Sequence, residues 1–210
     1  MRKELVTYIE TSIIPLYREF DAAHNLSHVR DVIEGSSLIV KALDDSGINE
    51  EMVYVTAAFH DLGLCDGREM HHISSGRIVR QDPCLPEWFT QEEIETIACA
   101  VEDHRASSSS VPRSIYGMIV AEADRHIEPM DILRRTVQYG FSHYPELDKE
   151  GHYNRMVEHM AEKYAEGGYL RLWIPQSPNG EGLRRLREII NSPSRLRALF
   201  DDIYEEEKKK

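Results

Sequence analysis

The sequence predicts an all-α fold, and three observations carry that expectation. Apolar residues recur at three- and four-residue steps through most of the 210 residues, the period of a helix with one buried face. No apolar/polar alternation of the strand type persists for more than a few residues. Prolines at positions 129, 145, 175, 178 and 193 fall between the periodic segments, where they end helices instead of breaking them.

Taken in order, Leu5, Ile9, Ile13 and Leu16 define a first amphipathic helix. A second opens near Ser27 as N-cap and carries Val29, Val32, Ile33, Leu38 and Ile39 before Asp44 to Gly47 breaks it. A third spans about Asn49 to Leu62, with Gly63 expected to end it. A fourth runs from about His71 to just before Pro83. A fifth starts near Thr90 with an acidic first turn and buries Ile94, Ile97, Ala98 and Val101. The stretch "RASSSSVPRS" is a polar loop. Further helices are expected at about 113–127, 129–141, 149–166, 180–191 and 193–207. Gly167 and Gly168 read as a helix stop, and the "EEEKKK" tail as a fraying charge run. No repeat period and no convincing boundary appear, so the expectation is one domain over 1–210. Its core lies at about 20–127, and the helices of about 129–207 pack around it.

The totals narrow the class of function. A charged fraction of 30% and a hydrophobic fraction of 41% describe an ordinary globular protein. A net charge of −12 makes a long nucleic acid a poor partner, because phosphate backbones need a basic stripe. Cys65, Cys84 and Cys99 are odd in number and lack CxxC spacing. They suggest neither a disulfide framework nor a zinc ribbon, and point to the reducing cytoplasm. The N-terminus mixes charge with apolar residues, which predicts neither a signal peptide nor a membrane span. A homo-oligomer stays open.

The informative residues are polar groups on apolar faces. His28 lies four before Val32; His60 lies seven after Val53 and three after Ala57. Asp61 follows His60 at once, so both point near one helix end. His104 follows Ile97 and Val101, and Asp124 follows Val120, both on inward stripes. His71 and His72 each precede small and apolar residues at helical spacing, and periodicity does not choose between them. Any one of these alone reads most simply as a hydrogen-bonded core histidine or a turn carboxylate. Together they would leave several buried polar groups unpaired unless a cation joins them. Imidazole and carboxylate donors suit a divalent first-row metal.

With those residues in place the chain resembles the HD-domain metal-dependent phosphohydrolases. "HNLSHVRDV" is similar to the opening segment and offers His28; "AAFHDLGL" matches the central pair, His60 and Asp61; "IVAEADR" matches the final acid, Asp124. "HHISSGRIV" and "AVEDHRAS" look like the additional segments of binuclear members, in a register that favours His71 over His72 and adds His104. The resemblance covers about residues 20 to 127. It implies an all-α bundle of the HD type and one or two divalent ions, whether Mn, Fe, Co, Ni, Mg or Zn. They would be held by His28, His60, Asp61, His71, His104 and Asp124, with Asp61 bridging if there are two.

The implied activity is hydrolysis of a small phosphoester, a nucleotide among the candidates, by metal-activated water. Asp61, His104 and Arg105 would carry the catalysis, and Arg77, Arg105 and Arg125 would grip phosphate oxygens, the natural role of the guanidinium fork. Arg30, Arg113 and Arg134 are secondary candidates. His143, Tyr144, Lys149 and His152 could form a lid. The cyclic-dinucleotide branch carries a Gly-Tyr-Pro motif that this sequence lacks. Two rival readings stand: a di-iron oxygenase on a small alcohol or phosphonate, and a non-catalytic nucleotide-binding sensor.

Overall fold

A computed structural model describes residues 1–21, 24–43, 47–105 and 110–209. Among the described residues there are ten α-helices and no strand. The contacts divide the chain into two compact units, Met1–Arg125 and His126–Lys210. Each unit has its own large apolar cluster. One joins Leu5, Ile9, Tyr17, Val55, Phe59 and Ile97; the other joins Leu133, Met156, Met160, Leu186 and Phe200.

In the first unit the order is α1 (Lys3–Tyr8), α2 (Leu26–Leu43), α3 (Glu50–Phe59), α4 (His71–Gln81), α5 (Gln91–Glu102) and α6 (Ile115–Ala123). The segment expected as one N-terminal helix changes its winding twice. After α1 comes a π-helical turn over Ile9–Ile13, then a 3-10 helix over Ile14–Glu19. Pro15 has no N–H to give and its ring crowds the carbonyl of the preceding turn, so the α ladder cannot pass it. The wide π turn shifts the buried stripe to steps of four: Leu5, Ile9, Ile13 and Tyr17 are buried. Leu16, expected inside, is 49% exposed, and Tyr17 takes its place.

The N-cap of α2 is Asn25, not Ser27. Its Oδ1 accepts the backbone N–H of Ser27 at 2.9 Å and of His28 at 3.2 Å. Leu38 is exposed while Ser36 is buried, which corrects the expected stripe. The break expected after α2 falls mostly on residues 44–46, outside the described residues. α3 begins where expected, with Asn49 capping Glu51 and Met52, but it stops at Phe59. Thr90 and Glu93 form a reciprocal capping box at the start of α5. Of the serine loop, residues 106–109 lie outside the described residues, and 110–114 are not helical. α2, α3 and α6 meet through Val32, Ala57 and Val120.

The second unit holds α7 (Pro129–His143), α8 (Lys149–Lys163), α9 (Pro178–Ile190) and α10 (Pro193–Glu207). Proline opens α7, α9 and α10, where its missing N–H costs nothing. Asp148 caps α8, and Gly167, at φ 85°, takes the left-handed turn after it. The acidic part of the tail does not fray: Glu206 and Glu207 are held by Arg134 at 2.7 and 2.6 Å, which keeps α10 helical to Glu207.

Candidate metal centre

α3 ends because side chains take over its last backbone groups. The Ala57 carbonyl, which would accept the N–H of Asp61, instead accepts His60 Nδ1 at 2.8 Å. The Asp61 N–H donates to the Tyr17 hydroxyl at 3.3 Å, and that hydroxyl donates to the Ala58 carbonyl at 3.0 Å. The chain therefore leaves the helix at His60–Asp61 and enters a 3-10 turn over Leu62–Asp66. Gly63, expected to end the helix, lies past its end and has no positive φ. It serves close approach instead. A Cβ there would lie 2.0 Å from the His71 carbonyl oxygen and 2.5 Å from the Ser75 nitrogen. Its N–H donates to Ser75 Oγ at 2.8 Å, which ties the start of α4 to the turn that carries Asp61.

These elements bring two triads of donor atoms together: His28, His60 and Asp124, and Asp61, His71 and His104. In the first, His28 Nε2 lies 3.2 Å from His60 Nε2 and 3.2 Å from Asp124 Oδ1. In the second, His71 Nε2 lies 3.1 Å from His104 Nε2. Asp61 faces both. Its Oδ2 is 3.1 Å from His60 Nε2 and 3.4 Å from His28 Nε2. Its Oδ1 is 3.4 Å from the Nε2 of both His71 and His104. His71, not His72, supplies the α4 donor.

The tautomers are fixed from behind. His60, His71 and His104 each direct Nδ1 to the carbonyl three residues earlier, those of Ala57, Arg68 and Val101, at 2.8, 2.8 and 2.6 Å. A carbonyl only accepts, so the proton sits on Nδ1 and the Nε2 lone pair faces the centre. Neutral imidazoles so arranged turn lone pairs toward one another and toward carboxylate oxygens. Only a cation or added protons can relieve that crowding, and an all-nitrogen-and-oxygen donor set fits a divalent ion.

The charge balance shows the same compensation. Burial works against ionised Asp61, yet His60, His104 and His28 hold its carboxyl far below the usual range. Asp124 is lowered in the same way, against burial, by His28, His60 and His104. Burial pulls His28 down, but Asp124 and Asp61 outweigh it and raise the imidazole to about 9. His104 is likewise raised by Asp61 and Asp124 against its burial. His71 is lowered, by burial and by the charges of His104 and Arg105. One side is open: His28, Asp124 and His71 keep 22%, 20% and 13% of their side chains exposed, whereas His60, Asp61 and His104 are enclosed.

The expected arginines divide. Arg105 donates to the Glu69 carbonyl at 2.8 Å, and its charge reaches His71 and His72. Arg125 is half-buried, with the Glu122 and Asp124 charges favouring its guanidinium against burial. Arg77 is instead paired with Asp66 on the surface. Arg30 is paired with Glu10, Arg113 with Asp103 and Glu102, and Arg134 with Glu206 and Glu207. Of the proposed lid, His152 is buried and Lys149 is held by Asp201 and Glu205.

Tyr17 is the residue that sequence reasoning missed. It stacks on His60 at 6.2 Å between ring centroids, besides holding the Asp61 backbone. The run 5, 9, 13, 17 at steps of four, with Pro15 inside it, was the available signal. Tyr17→Phe is expected to leave the Asp61 N–H and the Ala58 carbonyl without this partner. The cost should be about 1–3 kcal/mol of stability, seen as a lower urea midpoint at unchanged slope.

Residues 25–127 match the HD domain family, an all-α class that binds divalent metals. An uncharacterized protein of Clostridium beijerinckii (strain ATCC 51743 / NCIMB 8052) is 36% identical over 91 residues, or 41% of this chain. The match spans 55% of that relative's length. No solved structure matches. Among the described residues no helix is long and apolar enough to cross a membrane.

Proposed function

We propose that this protein is a metal-dependent phosphohydrolase acting on a small phosphoester. The observation that carries the reading is Asp61, whose two oxygens face two separate histidine-bearing triads at 3.1 to 3.4 Å. A divalent ion held by such donors supplies hydroxide near neutral pH and offsets charge on a phosphoryl oxygen.

The chain's own residues do the rest. Asp61 keeps both triads in register, since moving it moves both. His60 and His104, enclosed and tied through Nδ1, are rigid donors, and proton handling by His104 is confined to its Nε2. His28, His71 and Asp124 line the open side, where a substrate enters. Arg105, whose charge reaches His71, would take phosphate oxygens there, with Arg125 next to Asp124 as the second cation.

The test is turnover of a panel of phosphomonoesters and nucleotides by the purified chain with Mn, Co, Ni or Mg. Phosphate release that disappears in His60→Ala is the expected result. Iron-loaded protein that consumes oxygen and ignores every phosphoester would favour the oxygenase reading, which the same four histidines and two aspartates also suit. Tight nucleotide binding without turnover under any metal would favour a sensor.

A further inference from the structure

The second unit holds a cleft of about 580 Å³ whose lining includes Arg135, Tyr139, Tyr144, Arg155, Glu158 and Lys163. Its size is that of a small-molecule site. Two features set it apart. The first is that its cations are not spent on carboxylates. Elsewhere in this unit Arg134, Lys149, Arg184, Arg185 and Arg197 are each held by acids. Among the described residues Arg135, Arg155 and Lys163 make no ion pair, although the chain carries a net −12. Arg155 donates to the Thr136 carbonyl, and its guanidinium carbon sits 5.7 and 5.5 Å from the Tyr139 and Tyr144 rings. Its Nε is buried without a hydrogen-bond partner. Lys163 Nζ lies 5.1 Å from the Tyr164 ring.

The second feature is exposed aromatic surface beside those cations. Tyr139 and Tyr144 are 49% and 40% exposed, with ring centroids 6.3 Å apart. Tyr139 is braced by a 3.8 Å stack on His143, so the platform is ordered without a ligand. Exposed rings next to unpaired cations are a recognition surface for a molecule with both a π-face and an anionic group.

The charge sets a limit on that ligand. Three cations against the two carboxylates Glu158 and Glu162 leave a local balance of +1. His159 does not add to it, because burial and the Lys163 and Arg155 charges lower its imidazole. His126 is turned to Asp131 at 3.2 Å. A single phosphate fits this balance better than a polyphosphate.

We propose that this cleft binds a small ring-bearing phosphomonoester of nucleoside-monophosphate size. Arg135, Arg155 and Lys163 take the phosphate, and Tyr139 and Tyr144 take the ring. The site is independent of the metal centre: it uses none of the triad residues, and it binds rather than reacts.

Calorimetric titration of the full chain, stripped of metal by a chelator, tests this with adenosine monophosphate, adenosine and inorganic phosphate. Saturable binding of the monophosphate is expected, tighter than that of either fragment. Arg135→Gln and Lys163→Gln, both on accessible side chains, should each weaken it about fivefold or more. Tyr144→Ala should weaken the monophosphate and leave phosphate unchanged. The proposal is overturned by no saturable binding at millimolar ligand, or by either fragment binding as tightly as the whole. It is also overturned if His60→Ala abolishes binding while Arg135→Gln leaves it intact, which would place the ligand at the triads. None of these outcomes depends on turnover, so the phosphohydrolase reading stands or falls separately.

Discussion

Asp61→Asn is expected to strip metal from both triads at once, while Asp124→Asn weakens only the first. The asymmetry follows from geometry. Asp124 Oδ1 lies 3.2 Å from His28 Nε2 and 3.9 Å from His60 Nε2 and belongs to that triad. Asp61 offers Oδ2 to the same pair of histidines and Oδ1 to His71 and His104. Asparagine keeps the size but replaces one oxygen with an NH₂ that has no lone pair to donate, and it removes the charge that holds four imidazoles together. Even groups that only support a ligand cost about 10–100-fold in metal affinity when removed, so loss of a shared carboxylate should cost at least about 100-fold at each triad. Metal analysis after dialysis reads the stoichiometry, and calorimetry reads the affinity. Equal losses from Asp61→Asn and Asp124→Asn would show that the triads do not share Asp61. Phosphate release, if present, should fall to background in Asp61→Asn. Helical circular dichroism should survive, because the Asp61 N–H is satisfied by Tyr17 and not by its own side chain.

The helical period made most of the fold legible. Apolar stripes placed α2 through α10 within a few residues, since core-facing positions on an amphipathic helix must repeat near every 3.6 residues. The stripe erred at Leu38, within regular α2, and where winding changed. An α period carried past Pro15 puts Leu16 inside, whereas the π turn moves the stripe to Tyr17. The cap of α2 is ambiguous in the sequence. Ser27 and Asn25 are both good caps, and only the position of Asn25 Oδ1 against the first free N–H groups separates them. At the centre, helix faces sufficed to nominate His28, His60, His104 and Asp124, because each sits on a stripe that must be enclosed. The choice of His71 over His72 did not come from periodicity. It depends on where α4 docks, and that is set by Gly63 and Ser75 across the turn. The arginines were the least legible. Whether a surface guanidinium is spent on a neighbour, as Arg77 is on Asp66, depends on pairs distant in the chain or on a turn.

Gly63→Ala should separate the two triads in the opposite way to Asp61→Asn. The added methyl would meet the His71 carbonyl oxygen at 2.0 Å, the Ser75 nitrogen at 2.5 Å and the Ser74 Cβ at 2.7 Å. Two of these are backbone atoms in the first turns of α4, so no side chain can swing aside, and the helix itself must move outward by more than an ångström. That movement stretches the Gly63–Ser75 hydrogen bond and withdraws His71 from His104 and from Asp61 Oδ1, leaving His28, His60 and Asp124 where they are. Overpacking of this kind costs about 1–3 kcal/mol, and the lost buried hydrogen bond adds about 1 kcal/mol. The expected result is a folded protein with a lowered urea midpoint that keeps metal at the first triad and loses it at the second. Ser75→Ala serves as the milder control: it removes the hydroxyl that accepts the Gly63 N–H without forcing α4 outward, so it should lose stability and keep His71 in place. If Gly63→Ala retained full metal stoichiometry, close docking of α4 on the turn would not be what positions His71.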